Sequence, residues 1–374
     1  MVALLQSRLP LELYRPIVEL VNDRADLLRL TQVSTLLRAE AERLLYSAIE
    51  LDPEHEPHFC EFFSQSATRL ARHVRKCSLF LPGSKPTAEY FEEFARQRPV
   101  APKVASRPRS ARSVNVTTVI PMMNNLQTLS VSGHVAGVKF GKVLRGSQLC
   151  LRSFASTAPL DKTTLEFLES QPYITELTAL HSRLSSALPG RTLSSKALPN
   201  LSIIRALTPR IACDLAPRRP VTHVETYVWG TESCAKVAAR LALSRGPVRA
   251  LLVIQGFKLR SRDIEDIAHH VPSMEYLGEC HFADSISSCA KALAKFRALR
   301  TLVLSLQSVY AQSPDEDRVA LVAQLARACP SLRTIVFTIA LMPRQVWMRN
   351  LRTGKWEQHW RPEQTICCDL WASA

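Results

Sequence analysis

The chain has 374 residues, 46% of them hydrophobic, with a formal net charge of +15, which is enough to bury one long core or two. No run approaches the roughly 18 apolar residues of a membrane span, and the apolar stretch from Met1 to Leu5 is too short for a signal peptide before Arg8 and Pro10 close it. A soluble protein of the cytoplasm or nucleus is expected, and the ten cysteines, scattered singly in apolar runs such as those of Cys77, Cys213 and Cys329, fit reduced buried thiols rather than a disulfide framework.

Three short helices are predicted over residues 9–46. Pro10 fits the first turn of a helix, where its missing N–H costs nothing, and Leu13, Ile17, Leu20 and Val21 recur at helical spacing. Pro16 is expected to end that run and start a second piece, since interior proline costs about 3 kcal/mol. Asp26 is the expected N-cap of Leu27-Leu28-Arg29-Leu30, ending near Val33, and Ser34 of a third helix with Leu37, Ala41, Leu44 and Leu45 on one face. Three such helices bury too little apolar surface to stand alone. They need a partner or the rest of the chain.

This stretch resembles the F-box family. Its opening reads Leu9-Pro10-Leu11-Glu12-Leu13, then Ile17-Val18, then Asp26-Leu27-Leu28-Arg29-Leu30, then the Val33-Ser34 step into the last helix. The tryptophan common in that helix is missing; Leu37-Arg38 stands there. The resemblance implies that Leu9, Pro10, Leu11, Leu13, Ile17, Leu27, Leu30, Val33 and Leu37 bind the adaptor Skp1.

Between Arg96 and Arg112 lie six basic residues, three prolines and no acid, the composition of a solvated loop or disordered insertion. From residue 74 onward the chain repeats a unit of apolar, two variable, apolar, one variable, apolar. It is read at Val74-Cys77-Leu79, Leu126-Leu129-Val131, Leu151-Phe154, Ile174-Leu177-Ala179 and Leu201-Ile204-Ala206. It continues at Val224-Tyr227-Trp229, Val248-Leu251-Val253, Met274-Leu277, Leu299-Leu302-Leu304 and Leu332-Ile335-Phe337. The long first interval is expected to hold a further, unreadable unit. Several segments between units have helical spacing, among them Cys234-Val237-Ala238-Leu241 and Ile264-Ile267-Ala268. After the last unit, Gly354 between two aromatic runs, Val346-Trp347 and Trp356 to Trp360, predicts a β-hairpin.

The repeat resembles leucine-rich repeats; Ala328-Cys329-Pro330-Ser331-Leu332 is similar to the helix-to-strand join of the cysteine-containing class, although the Asn or Cys expected after each strand is mostly absent. The expected fold is α/β. A helical F-box at residues 1–50 precedes an irregular leucine-rich-repeat solenoid at 51–343, a horseshoe of parallel strands with helical returns and the basic insertion at about 96–113. A C-terminal hairpin cap and tail follow at 344–374.

In such a horseshoe the residues flanking the second apolar position face outward on the concave side. Of 30 such positions only Lys76, Glu176 and Arg205 are charged, which disfavours nucleic acid there. The candidate substrate face comprises Ile203, Arg205, Leu207, Val228, Leu252, Ile254, Tyr276, Val303 and Val336. An apolar strip on a basic chain suggests either a peptide or protein partner or cover by the chain's own carboxy-terminal tail.

Catalytic signatures are absent. Gly83-Ser84-Lys85 lacks the upstream glycine of a P-loop, and His55-Glu56-Pro57-His58 misses the spacing of a zinc protease. His269, His270, Cys280 and His281 are a weak metal set. No cofactor, metal or enzyme activity is expected. An F-box followed by leucine-rich repeats resembles the substrate receptors of SCF ubiquitin ligases, in particular a large fungal group. That implies Skp1 and through it a cullin as partners, a protein substrate on the repeats, and no membrane. The alternative is a leucine-rich scaffold whose basic loops bind RNA or anionic surfaces without Skp1.

Overall fold

The computed structural model describes residues 10–51, 61–63, 68–80, 119–132, 140–144, 147–157, 160–180, 193–228, 233–305, 315–338, 344–361 and 370–374. The basic insertion, Leu9 and residues 362–369 lie outside this set. The fold is mixed α/β with a mostly parallel sheet. Contacts divide the chain into two units, Met1–Phe154 with Lys162–Phe167, and Ala155–Asp161 with Leu168–Ala374. The expected boundary near residue 50 falls inside the first.

The first unit opens with α1 (Leu11–Glu19), α2 (Arg24–Val33) and α3 (Thr35–Leu45). Pro16 does not end α1. It sits on the exposed side of the helix, where a carbonyl that loses its amide partner turns to water. Asp23, not Asp26, caps α2, its side chain accepting from the Ala25 N–H at 2.7 Å; Asp26 instead pairs with Arg29 one turn on. Ser34 caps α3 through the Leu37 N–H. A small core of Val18, Leu27 and Ala41 holds the three together, with Val21, Leu30, Leu37, Leu44 and Leu45 packed around it. Arg43 bridges to Glu19 and Glu40.

Three parallel strands follow: β1 (Ala48–Leu51), β2 (Lys76–Phe80) and β3 (Thr128–Ser132). Ile49 lies opposite Cys77, and Cys77 opposite Leu129. β1 was not among the expected units, yet Tyr46-x-x-Ile49-x-Leu51 matches the repeat, so the unit begins one strand earlier than read. β2 pairs directly with β3. The long interval between them therefore adds no strand between β2 and β3, and residues 81–118, where the extra unit was expected, lie outside the described residues. β4 (Ser153–Ser156) lies at the division between units.

The second unit carries β5 (Glu176–Ala179), β6 (Ile203–Ala206), β7 (His223–Val228), β8 (Ala250–Leu259), β9 (Tyr276–Phe282), β10 (Thr301–Ser305) and β11 (Thr334–Thr338). All seven are parallel in sequence order. Parallel neighbours need a crossover to bring the chain back. Helices Pro209–Leu215, Cys234–Leu241, Ser261–His270, Ile286–Leu293 and Asp315–Ala328 supply it. Each buries an apolar stripe such as Val237, Ala238 and Leu241. Then β12 (Arg344–Arg349) and β13 (Trp356–Arg361) turn antiparallel as a hairpin. Gly354 takes a left-handed φ of 70° in its turn, a conformation costly for other residues.

Nine of the ten expected units place their apolar positions in the core: Leu177, Ile204, Leu251, Leu277, Leu302 and Ile335 are all at most 2% exposed. The exception is β7. Val224, expected first in its unit, lies opposite Ile204 and Leu251 and is therefore second. The true unit is Val221-x-x-Val224-x-Thr226, three residues earlier than read. The short helix Pro209–Leu215 returns the chain sooner here than elsewhere. Behind this turn Arg219 is fully buried, donating to the carbonyls of Ala197 (2.8 Å), Leu215 (2.6 Å) and Ser194 (2.8 Å). Burial lowers its pKa. It braces a segment where Leu198 and Arg218 both hold left-handed φ.

Candidate functional site

Two surfaces answer to the expected sites, one in each unit. In the first, the helices do not use all their apolar residues internally. Leu13, Ile17 and Leu20 fall at i, i+4 and i+7 on α1, one helical stripe, and all three are exposed, as are Leu28, Val33 and Leu36. Leu28 also lines a cleft with Arg24, Ala25, Leu45 and Tyr46. The expected adaptor residues thus split in two. Pro10, Leu13, Ile17 and Val33 face out; Leu27 is core, and Leu30 and Leu37 pack against it. The side chain of Leu11 and all of Leu9 lie outside the described residues. Leu20, Leu28 and Leu36 were not among the expected adaptor residues. Behind this face, the Arg69 guanidinium grips the buried Glu42 carboxylate with two bonds, tying α3 to the helix Thr68–Ala71.

In the second unit, the strand register brings Ile203, His223, Ala250, Tyr276, Thr301 and Thr334 into one row across β6 to β11. Arg205, Glu225, Leu252 and Gly278 form the next row across β6 to β9, while Val336 lies opposite Val303 and Val346. Because β7 is displaced, Glu225 and His223 occupy the face where Val228 was expected; Val228 lies opposite Gln255, beyond these rows. The Val228 and Ile254 side chains lie outside the described residues. Leu207 follows β6 and is half-buried.

This row is not an open face. Ala250, Leu252, Tyr276, Val303, Val336 and Val346 form one buried cluster with Trp371, and Ile203, Leu370 and Ala374 pack against it. Residues 370–374 include a single short helical turn. A Cβ on Gly278 would come within 2.6 Å of the Tyr276 ring and 2.7 Å of Leu252, so the missing side chain at Gly278 is what lets the Tyr276 ring lie along the strip. Beside it, Glu279 takes a left-handed φ where the register of β9 slips against its neighbours.

Around the indole the contacts are polar and directed. The Arg205 guanidinium lies 5.0 Å from the centroid of the Trp371 ring, a cation–π distance. It is held there by Glu176 on one side and Glu225, at 2.9 Å, on the other. The His223 ring meets Trp371 edge-on, centroids 5.0 Å apart at 75°. Burial lowers the His223 pKa, Arg249 and Arg205 push the same way, and the Trp371 backbone and Glu275 oppose. Glu275 in turn pairs with Arg300 (3.1 Å) and Arg249 (3.8 Å). The cations of this face are thus matched by carboxylates.

Among the described residues no three His, Cys, Asp or Glu side chains could hold a metal, and no described helix is long and apolar enough to cross a membrane. Cys280 is fully buried and its thiol pKa is pushed up, as is that of Cys234; that of Cys289 rises to about 11. Such thiols are poor nucleophiles and ligands.

No protein-family model matches the chain, and no curated protein matches it in sequence. Among solved structures it is similar to a chain of the yeast Rad7 and Elc1 complex, at 12% identity over 92% of this chain and 90% of that one, with a TM-score of 0.39. So distant a likeness carries no argument about function.

Proposed function

We propose that the chain is a substrate-recognition adaptor of an SCF-type ubiquitin ligase. Its amino-terminal helices bind a Skp1-like protein and through it a cullin, and its leucine-rich-repeat-like strands and helices hold a protein substrate in the cytoplasm or nucleus. The reading gives the chain no chemistry and no cofactor of its own; other subunits perform the transfer. The observation that carries it is the unspent apolar face of α1 to α3. A helix trio of so few residues with a core built on Val18, Leu27 and Ala41 leaves Leu13, Ile17, Leu20, Leu28, Val33 and Leu36 outside, on the stretch that resembles the F-box.

Because Leu13 and Ile17 point outward, they separate binding from folding. A Leu13→Ala/Ile17→Ala chain should keep its helical signal and its melting temperature. Burying each side chain at an interface is worth about 1.5–3 kcal/mol, so Skp1 affinity should fall by at least about tenfold. Unchanged affinity, measured by calorimetry on the full chain, ends the adaptor reading.

A further inference from the structure

We propose that the apolar strip of the second unit is a peptide-binding cleft in which Leu370 and Trp371 are the resident occupant, and that the external ligand is a short peptide carrying a tryptophan next to an aliphatic residue. If the chain is an adaptor, that peptide is the recognition segment of its substrate; the proposal rests on the adaptor reading for that step alone.

The seat has the features of a recognition site for an indole rather than of undirected core. Its floor is apolar, with Leu252, Tyr276 and Val303 buried beneath the ring. Its wall is Arg205 over the ring face, and Arg205 is fixed by two carboxylates rather than by the occupant. A guanidinium placed this way favours an electron-rich aromatic face over any aliphatic side chain. His223 meets the ring edge-on. Arg205 and its carboxylate partners Glu176 and Glu225 all sit on the neighbouring strands β5, β6 and β7.

The occupant, by contrast, is fastened poorly. It is one helical turn, and so short a helix has no stability of its own. Ala372 and Ser373 are exposed, and Leu370 and Ala374 are only partly buried. Its attachment to the strip rests on the Trp371 ring, the partly buried Leu370 and Ala374, and the Trp371 backbone beside His223. The buried indole Nε1 has no hydrogen-bond partner among the described residues, whereas a buried polar group ordinarily finds one. A seat made of strand residues beneath so short a segment is one where a better-matched segment can replace it. Elements with few buried contacts open at far lower free energy than the strands beneath them.

The test uses the full chain and a fluorescein-labelled peptide, Asp-Leu-Trp-Ala-Ser-Ala, corresponding to residues 369–374, with binding read by anisotropy in the absence of Skp1. The Trp371→Ala chain should take up one peptide per chain. Wild type should bind it at least about tenfold more weakly, because the resident segment leaves only a small fraction of molecules competent. The same peptide with tryptophan replaced by alanine should not bind, and Arg205→Gln added to Trp371→Ala should weaken uptake while the melt stays cooperative. Failure of a folded Trp371→Ala chain to bind the peptide overturns the proposal. Loss of the cooperative melt in that variant overturns it too, since an exchangeable occupant leaves the strands beneath it folded. Skp1 affinity is measured separately, so the cleft and the adaptor reading stand or fall apart.

Discussion

The strands of the two units are buried differently. Along β2 the side chains run exposed, buried, half-buried, buried, half-buried, and along β1 half-buried, buried, exposed, buried. β10 and β11 instead bury four consecutive residues each. The strands share one repeat and one parallel register, so the difference does not come from strand type. In the first unit the helices cover one face of the sheet and the other is left partly open. In the second, the segment at 370–374 covers the other face as well, and Tyr276, Val303 and Val336 pass into core with Trp371. A sheet buried on both faces is ordinary for parallel strands. Here the second cover is a few residues, which is why the strip reads as a site.

The largest effect that tests this difference is a buried charge in β10. Leu302→Asp on the helix-covered face should cost on the order of 4 kcal/mol, because its carboxylate finds neither a partner nor water, whereas Val303→Asp should cost less, about 2 kcal/mol, because residues 370–374 can lift and admit water. Ser78, the equivalent position on β2, is half-buried, and Ser78→Asp should cost about 1 kcal/mol or less. Denaturant melts of the three chains decide it: a Val303→Asp as costly as Leu302→Asp would mean that the cover stays closed and is part of the core.

Two arginines sharpen the contrast. Arg219 is buried and bound to three backbone carbonyls, each of which loses its donor in Arg219→Met at about 1–3 kcal/mol when left unsatisfied. With partial relaxation of the turn, a total near 3 kcal/mol is expected. Arg69 in the first unit has a side chain 56% exposed, and its bonds to Glu42 face competition from water. Arg69→Met leaves the buried Glu42 carboxylate without its guanidinium but with water near the vacated side, and should cost about 1–2 kcal/mol, less than Arg219→Met. Equal losses would show that the buried arginine is better solvated than its surroundings imply.

Much of this was legible beforehand. Strand positions such as Leu251, Leu302 and Ile335 were read correctly because a period-two pattern inside a regular repeat leaves few alternatives. The hairpin at Gly354 followed from turn chemistry. β1 was missed although Tyr46, Ile49 and Leu51 carry the motif, because the helical reading of residues 9–46 absorbed the stretch. β7 slipped by three residues because its third core position is Thr226, buried yet polar, so Tyr227 and Trp229 looked like the better apolar match. That slip hid His223 and Glu225. Both alternatives for the strip, partner or tail, were open in the sequence, since its apolar character was readable there. Trp371 as the residue that covers it was not, because a single aromatic among small residues has no periodicity to place it against particular strands among those spread from β6 to β12.

The smallest effect expected is one of pH, and it too separates the regions. Burial lowers the pKa of His223 and of His281 in the second unit, and of His73 in the first. A histidine with a depressed folded pKa takes up its proton more readily in the unfolded chain. Stability is therefore fully present above the unfolded value of about 6.5 and falls as pH drops through that value towards the folded pKa. For His223 the added charge would also arise beside Arg249 and Arg205, with the Trp371 backbone and Glu275 offsetting part of it, and in edge contact with the Trp371 ring. Mild acid should thus loosen residues 370–374 before it unfolds the strands. Tryptophan emission followed from pH 7.5 to 5.5 should shift while far-UV ellipticity holds, and His223→Gln should remove that early shift but leave the part of the acid sensitivity carried by His73 and His281. An early shift that survives His223→Gln would place the acid-sensitive group elsewhere, and no shift before the loss of ellipticity would leave Trp371 as firmly seated as the strands below it.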